Sequence, residues 1–343
     1  DGVYWKDAIA RHREGVREDW VRRTLSAYRQ RGITYLRDGG DRWGVCSLAA
    51  RLAPEYGIRY RIPGAPIHKN GHYGGFSGRC FDTMADFRAL VEDAKRSGAD
   101  FIKIMISGLM DFDRLGVLTD VPLTPEEIRE MIAIAHGEGF SVMAHANGDA
   151  TVAAAIAAGV DSIEHGAKMD EETVRLYKER GAFLCTTISP ALPYALFDIA
   201  VSGASEKDQY NGKIVFDGVV ESAKTALANG IPVGLGNDVG CPYITQYDFW
   251  RELCYFHKYC GVSNRFALYT ATLRNAQLAG IGDVTGSIAP GKSADFIVTR
   301  ENPLEDLRAL QHLELVVCRG RAVKKPSPKR RKEVDALLDP YLV

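Results

Sequence analysis

The chain has 343 residues, 46% hydrophobic and 25% charged, with eight histidines and seven cysteines. That is the composition of an ordinary globular protein with enough apolar material for a large core. A net charge of −1 argues against nucleic acid as the main partner, because phosphate binding needs a basic surface, and no apolar run reaches the roughly 18 residues of a membrane span, so no membrane partner is expected.

Strand-like apolar runs are predicted at 33–39, 59–67, 101–107, 141–146, 162–166, 182–189 and 233–238. Between them, apolar residues at three- and four-residue spacing predict helices at about 17–31, 44–56, 83–97, 124–138, 148–159, 170–180, 213–229, 244–260 and 263–279. Strand then helix, repeated, is the pattern of a (β/α)8 TIM barrel, an α/β fold. The helix near 124–138 is well punctuated: Thr124 can cap it, Pro125 suits its first turn, Glu126 and Glu127 complement the dipole, and Gly137 or Gly139 can end it. His136 at its C-terminal end reads as structural, since a helix C-terminus favours a cation. After Gly282 the composition shifts to two strand-like alternations, SADFIVTR and LELVVCRGRAVK, joined through ENPLED. The expected organisation is a barrel over 1–283, part of a small β-sandwich over 284–325 and a C-terminal tail over 326–343. The basic run KKPSPKRRK at 324–332 reads as a solvated, partly flexible segment.

Four polar residues stand where apolar strands end: Lys103 in ADFIKIMISG, His145 in FSVMAHANG, His165 in VDSIEHGAK and Asp238 in PVGLGNDVG. In a barrel such positions gather at one face. Taken singly, a strand-end histidine is usually a satisfied hydrogen bonder and a strand lysine usually snorkels. Taken together, two imidazoles, a carboxylate and a lysine that could be carbamylated by carbon dioxide are donors suited to a divalent metal. A buried lysine near cations loses its proton more easily, and the neutral amine can then react.

The glycine-rich loop APIHKNGHYGGFSGR puts His68, Lys69, His72, Tyr73 and Arg79 among glycines, a composition able to bind a carboxylate or polar ring. Tyr194, in SPALPYALF, reads as a pocket wall rather than an acid. Arg37, in YLRDGG, is either a substrate contact or the partner of Asp38. The cysteines are odd in number, scattered and without a CxxC pair, which favours reduced thiols in a cytoplasmic protein.

AHANGDATVAAAIAAGVDSIEHG (144–166), GLGNDVG (234–240) and GDVTGSIAPGKSADFIV (282–298) resemble the two-histidine block, the aspartate strand and the return to the sandwich of the amidohydrolase superfamily, in its branch of imidazolonepropionase-like and Xaa-Pro or Xaa-Arg/Lys dipeptidase enzymes. The match runs over nearly the whole chain. Relatives often carry His where Asn147 stands. They also carry a His-x-His pair at the end of the first barrel strand, and none of the eight histidines here forms one. Seven predicted strands against the eight a barrel needs agree with that, so the expectation is a barrel whose first strand lies outside these residues, and residues 1–343 alone are expected to be inactive.

What the resemblance implies is a hydrolase acting on a C–N bond of a small, carboxylate-bearing amide, dipeptide or cyclic amide. Two divalent metals, taken as zinc, would be held by the upstream pair with Asp238, by His145 with His165, and by carbamylated Lys103 between them, with Asp238 as catalytic proton shuttle. His72 is the leading substrate contact, followed by His68, Tyr73 and Tyr194, and a homo-oligomer is expected. Two alternatives stay open: a deaminase or a lactone or phosphoester hydrolase on the same site, or a non-catalytic relative acting in assembly. Deaminases of the superfamily use a glutamate shortly after a strand-end histidine, and HANGD offers none.

Overall fold

A computed structural model describes residues 5–12, 14–109, 111, 114 and 116–342. Nine short parallel strands form its centre. They are β1 (Tyr35–Arg37), β2 (Arg59–Arg61), β3 (Ile67–Lys69), β4 (Arg79–Phe81), β5 (Ile102–Met105), β6 (Val142–Ala146), β7 (Ser162–His165), β8 (Phe183–Thr186) and β9 (Val233–Leu235). β1 pairs with β2, and the others form one sheet in the order β4-β3-β5-β6-β7-β8-β9. Helices return the chain between most of them, β2, β3 and β4 following one another without one, and the two sheets surround one cavity, as the barrel pattern predicts.

Strand alternation divides the work of each residue. Ile102, Ile104, Val142, Ala144, Ile163 and Leu184 are each 1% exposed or less and pack outward on the helices. Their neighbours Lys103, Met143, His145, Glu164 and Cys185 line the interior cavity. The register couples them in a row, with His145 opposite both Met105 and Glu164, and Glu164 opposite Cys185.

The run predicted as one strand over 59–67 is broken. Pro63 and Pro66 have no N–H to give to a ladder, and Gly64 between them turns at φ +71°. Before the break β2 pairs with β1; after it, β3 pairs with β5 and with β4. β3 and β4 lie within and beside the glycine-rich segment that reads as a loop. Both are three residues long, too short to show a period.

Among the described residues β9 has a strand neighbour on one side only. On its other side the side chain of Asn275 acts as a strand in miniature: its Oδ1 accepts from the Leu235 N–H at 2.9 Å, and its Nδ2 donates to the Leu235 carbonyl at 2.9 Å. Gly234 permits this approach, because a Cβ there would lie 2.9 Å from Asn275 Oδ1. Asn275 follows a five-residue π-helical stretch, Thr270–Arg274.

Three antiparallel strands, β10 (Phe296–Thr299), β11 (Leu313–Cys318) and β12 (Arg321–Lys324), make the separate sheet. The basic run after it is not merely solvated. It leads into the helix Lys332–Leu338, whose Val334 and Leu338 enter the main core. There Arg251, 1% exposed, meets Asp248, Asp335 and Asp339 at 3.2, 3.1 and 2.7 Å. Among the described residues no helix is long and apolar enough to cross a membrane.

Candidate active site

Lys103 sits mid-strand on β5, His145 near the end of β6 and His165 at the end of β7, while Asp238 follows β9. All four line one cavity of about 1110 Å³. The rings of His145 and His165 lie edge to face with centroids 4.9 Å apart. His165 and Asp238 both take left-handed backbone, at φ 68° and 48°, a conformation uncommon for residues with side chains and found disproportionately at functional sites. At His165 it interrupts the strand alternation, so that Glu164 and His165, though consecutive, both line the cavity.

Burial sets the charges here. It lowers the Lys103 amine below its ordinary range, helped by Arg37 and opposed by Glu164 and Asp238. Burial and the neighbouring His165 and Lys103 hold His145 well below the usual histidine value. His165 is lowered mainly by burial and by Lys103, against Asp238. Both imidazoles are therefore neutral at pH 7, the form that binds metal. His165 Nδ1 lies 2.7 Å from the Thr187 hydroxyl, and Asn147 donates its amide to His145 Nε2 at 2.9 Å and to the Gly108 carbonyl at 3.0 Å. Where relatives often have histidine, then, this chain's asparagine orients a ring.

Among the described residues no three His, Cys, Asp or Glu side chains form a metal-holding group by themselves. The donor set is two neutral imidazoles, one carboxylate and Lys103. Its chemistry fits a divalent cation once the lysine is neutral or carbamylated, and not while it is an ammonium.

Arg37 lines the cavity, and its ion-pair partner is not Asp38. It reaches across the barrel and donates to Glu164 Oε1 at 2.6 Å and to the Ser162 hydroxyl at 3.0 Å. Asp38 instead accepts from the Tyr60 hydroxyl and the Gly40 N–H.

Of the loop residues singled out as substrate contacts, Tyr73 and Tyr194 line the cavity. Tyr73 packs against His145 with ring centroids 4.9 Å apart and planes tilted by 33°, and burial together with Asp238 pushes its phenol up, so it stays a neutral donor. His68 is buried on β3 with Nδ1 2.9 Å from the Lys69 carbonyl. His72 lies 3.4 Å from Asp120, whose other contact is the Tyr73 N–H. Neither histidine is on the cavity wall. Thr187, Glu164 and Cys241, whose thiol is 3.4 Å from Asp238 Oδ2, belong to the site and were not singled out from the sequence. Glu164 and Thr187 both stand in predicted strands, at 162–166 and 182–189, and nothing local marks either as part of the site.

Residues 18–323 match the model of the amidohydrolase family. Among curated proteins, ochratoxinase from Aspergillus niger is 30% identical over 282 residues, 78% of this chain and 53% of its own length. Imidazolonepropionase from Geobacillus thermodenitrificans is 26% identical over 58% of this chain and 43% of its own length. The chain thus spans about half the length of the curated relatives it matches. Among solved structures, a prolidase candidate from Bifidobacterium longum superposes with TM-score 0.84 at 32% identity, covering 94% of this chain and 80% of that one. A Xaa-Pro dipeptidase with methionine bound in its active site gives TM-score 0.77 at 26% identity, over 88% and 77%.

Proposed function

Because the chain belongs to the amidohydrolase family, we propose that it forms the body of a metal-dependent hydrolase that cleaves a C–N bond in a small amide, dipeptide or cyclic amide. The observation that carries this reading is the gathering of Lys103, His145, His165 and Asp238 on one cavity, and burial that disfavours the charged form of both imidazoles agrees with it. Relatives named for hydrolysing a dipeptide and for acting on ochratoxin support the bond type.

In this reading Lys103, His145, His165 and Asp238 hold the metal, with Lys103 carried as a carbamate. The neutral amine adds to the carbon of carbon dioxide and loses a proton, leaving a carboxylate donor. When bound, the metal supplies a Lewis acid for the scissile carbonyl and makes a nucleophile of water at neutral pH. Asp238, exposed at the cavity rim, takes the proton that water gives up on addition and passes it to the departing nitrogen. That transfer is needed because an amide anion is too basic to leave unprotonated. Tyr73, kept as a phenol, donates a hydrogen bond to the substrate, and Tyr194 walls the cavity.

The test is a panel of N-acyl amino acids, dipeptides and cyclic amides given to the full-length gene product, with and without a chelator. Hydrolysis that the chelator abolishes and added metal restores is the expected result. In the same assay Lys103→Ala should lose most metal and activity, and short carboxylic acids should partly restore both by standing in for the carbamate. Cleavage confined to lactones, release of ammonia from aminated rings, or a Lys103→Ala protein with full metal and turnover would overturn the reading.

A further inference from the structure

One buried carboxylate is not part of the proposed metal set. Glu252, in the helix Phe249–Cys260, is fully buried. Its Oε1 accepts the Ile188 N–H at 2.6 Å; its Oε2 accepts the Ser189 N–H at 2.9 Å and the Ser189 hydroxyl. No lysine or arginine among the described residues forms an ion pair with it. Burying a carboxylate without a counter-ion is costly, and here its compensation comes from these three donors. Two of them are consecutive backbone N–H groups just past the end of β8, where the chain turns away from the sheet. A side chain that accepts both fixes the course of that turn.

The turn begins at Thr187, and Thr187 is what holds His165. The ladder between β7 and β8 stops at Glu164 and Cys185. His165 lies beyond it on left-handed backbone, and the side-chain hydrogen bond that sets its ring is the one between Nδ1 and the Thr187 hydroxyl at 2.7 Å. That bond leaves Nε2 as the nitrogen for a ligand. Downstream of the same turn, Pro190, Ala191 and Tyr194 line the cavity.

We propose that Glu252 is a positioning residue of the site: by clamping the backbone at Ile188 and Ser189 it places the Thr187 hydroxyl, and through it the ring and tautomer of His165. The proposal rests on the reading of His165 as a metal ligand, so its test needs a readout that does not. In metal-free protein, ring-nitrogen NMR reports the His165 tautomer directly, and calorimetric titration with Zn²⁺ then reports affinity. Glu252→Gln replaces one acceptor oxygen by an amide that faces an N–H donor. The expected result is a His165 signal shifted toward a mixture of tautomers and a Zn²⁺ affinity lower by about 10- to 100-fold, the usual cost of disturbing a residue behind a ligand. Thr187→Val should produce a similar loss, and the double variant should be little worse than either single one, because both act through one contact. Ser189→Ala, which removes one of the three donors and spares the backbone pair, should shift the same signal less; it decides the matter if the glutamine variant does not fold.

Unchanged ring signals in Glu252→Gln, or in Ser189→Ala where only that variant folds, would overturn the proposal. Losses that multiply between Glu252→Gln and Thr187→Val would overturn it too. A wild-type protein that binds no Zn²⁺ would instead remove the metal assignment, while the tautomer measurement would still decide the role of Glu252.

Discussion

Asp238 is where residue-scale chemistry can be separated from architecture. Its carboxylate is exposed and its backbone is already left-handed, a conformation asparagine tolerates as well as aspartate. Asp238→Asn should therefore keep the fold while losing the ability to take a proton. Since such proton transfers are worth roughly 100- to 10,000-fold in rate, kcat should fall by at least about 100-fold. A loss of only a few-fold in steady-state kinetics would remove Asp238 from the mechanism. This residue was legible in the sequence, as were Lys103, His145 and His165, because each interrupts or ends an apolar run and strand ends are where a barrel puts its chemistry. What surrounds them was not. The Thr187 hydroxyl is 22 residues from His165, and Glu252 is 64 from the Ile188 N–H it accepts; Arg37 and Glu164 are separated by 127. Such partners share no local pattern, so only the folded arrangement reveals them. The adjacent Asp38 even suggested the wrong ion pair for Arg37.

At the scale of elements the same division holds, with length as the deciding variable. The helix Pro125–Gly137 follows its sequence signals closely, with Thr124 and Glu127 completing a reciprocal cap. The helix expected from 213 starts instead at Glu206, behind Ser205 and Asp208, which form the same kind of cap. That signal was present in the sequence and outweighed by the polar stretch following it. β3 and β4 gave none. Asn275 lies in the run predicted as a helix at 263–279, yet its pairing with β9 has no counterpart in helical periodicity. Asn275→Ala should leave the Leu235 N–H and carbonyl without partners, at a cost of about 1–3 kcal/mol for each that stays buried. Denaturant unfolding should register that loss, and amide hydrogen exchange should show Leu235 losing protection ahead of Val142 and Ile163. Unaltered exchange at Leu235 would mean that the side chain is a bystander at this edge.

For the molecule as a whole, Glu252 ties stability to pH. Burial pushes its carboxyl up from 4.5 to about 7 against the three hydrogen bonds that favour its charged form. Between those values the folded protein keeps a proton that the unfolded chain has released, so its contribution to stability is present in acid and is lost as pH rises through about 7. The stability difference between wild type and Glu252→Gln, followed by chemical denaturation, should therefore decline from about pH 4.5 to 7; a difference that stays flat would show that the carboxyl ionises as readily inside as out. The buried cluster around Arg251 acts on a different clock. Its aspartate at 335 lies 84 residues further along the chain, which at cellular rates of synthesis is a delay of roughly 4 to 17 seconds. Throughout that interval the guanidinium has only Asp248 of its three carboxylates, one ion pair where the folded core gives it three. The contacts that hold this part of the wall are therefore completed only when a segment synthesised after it arrives.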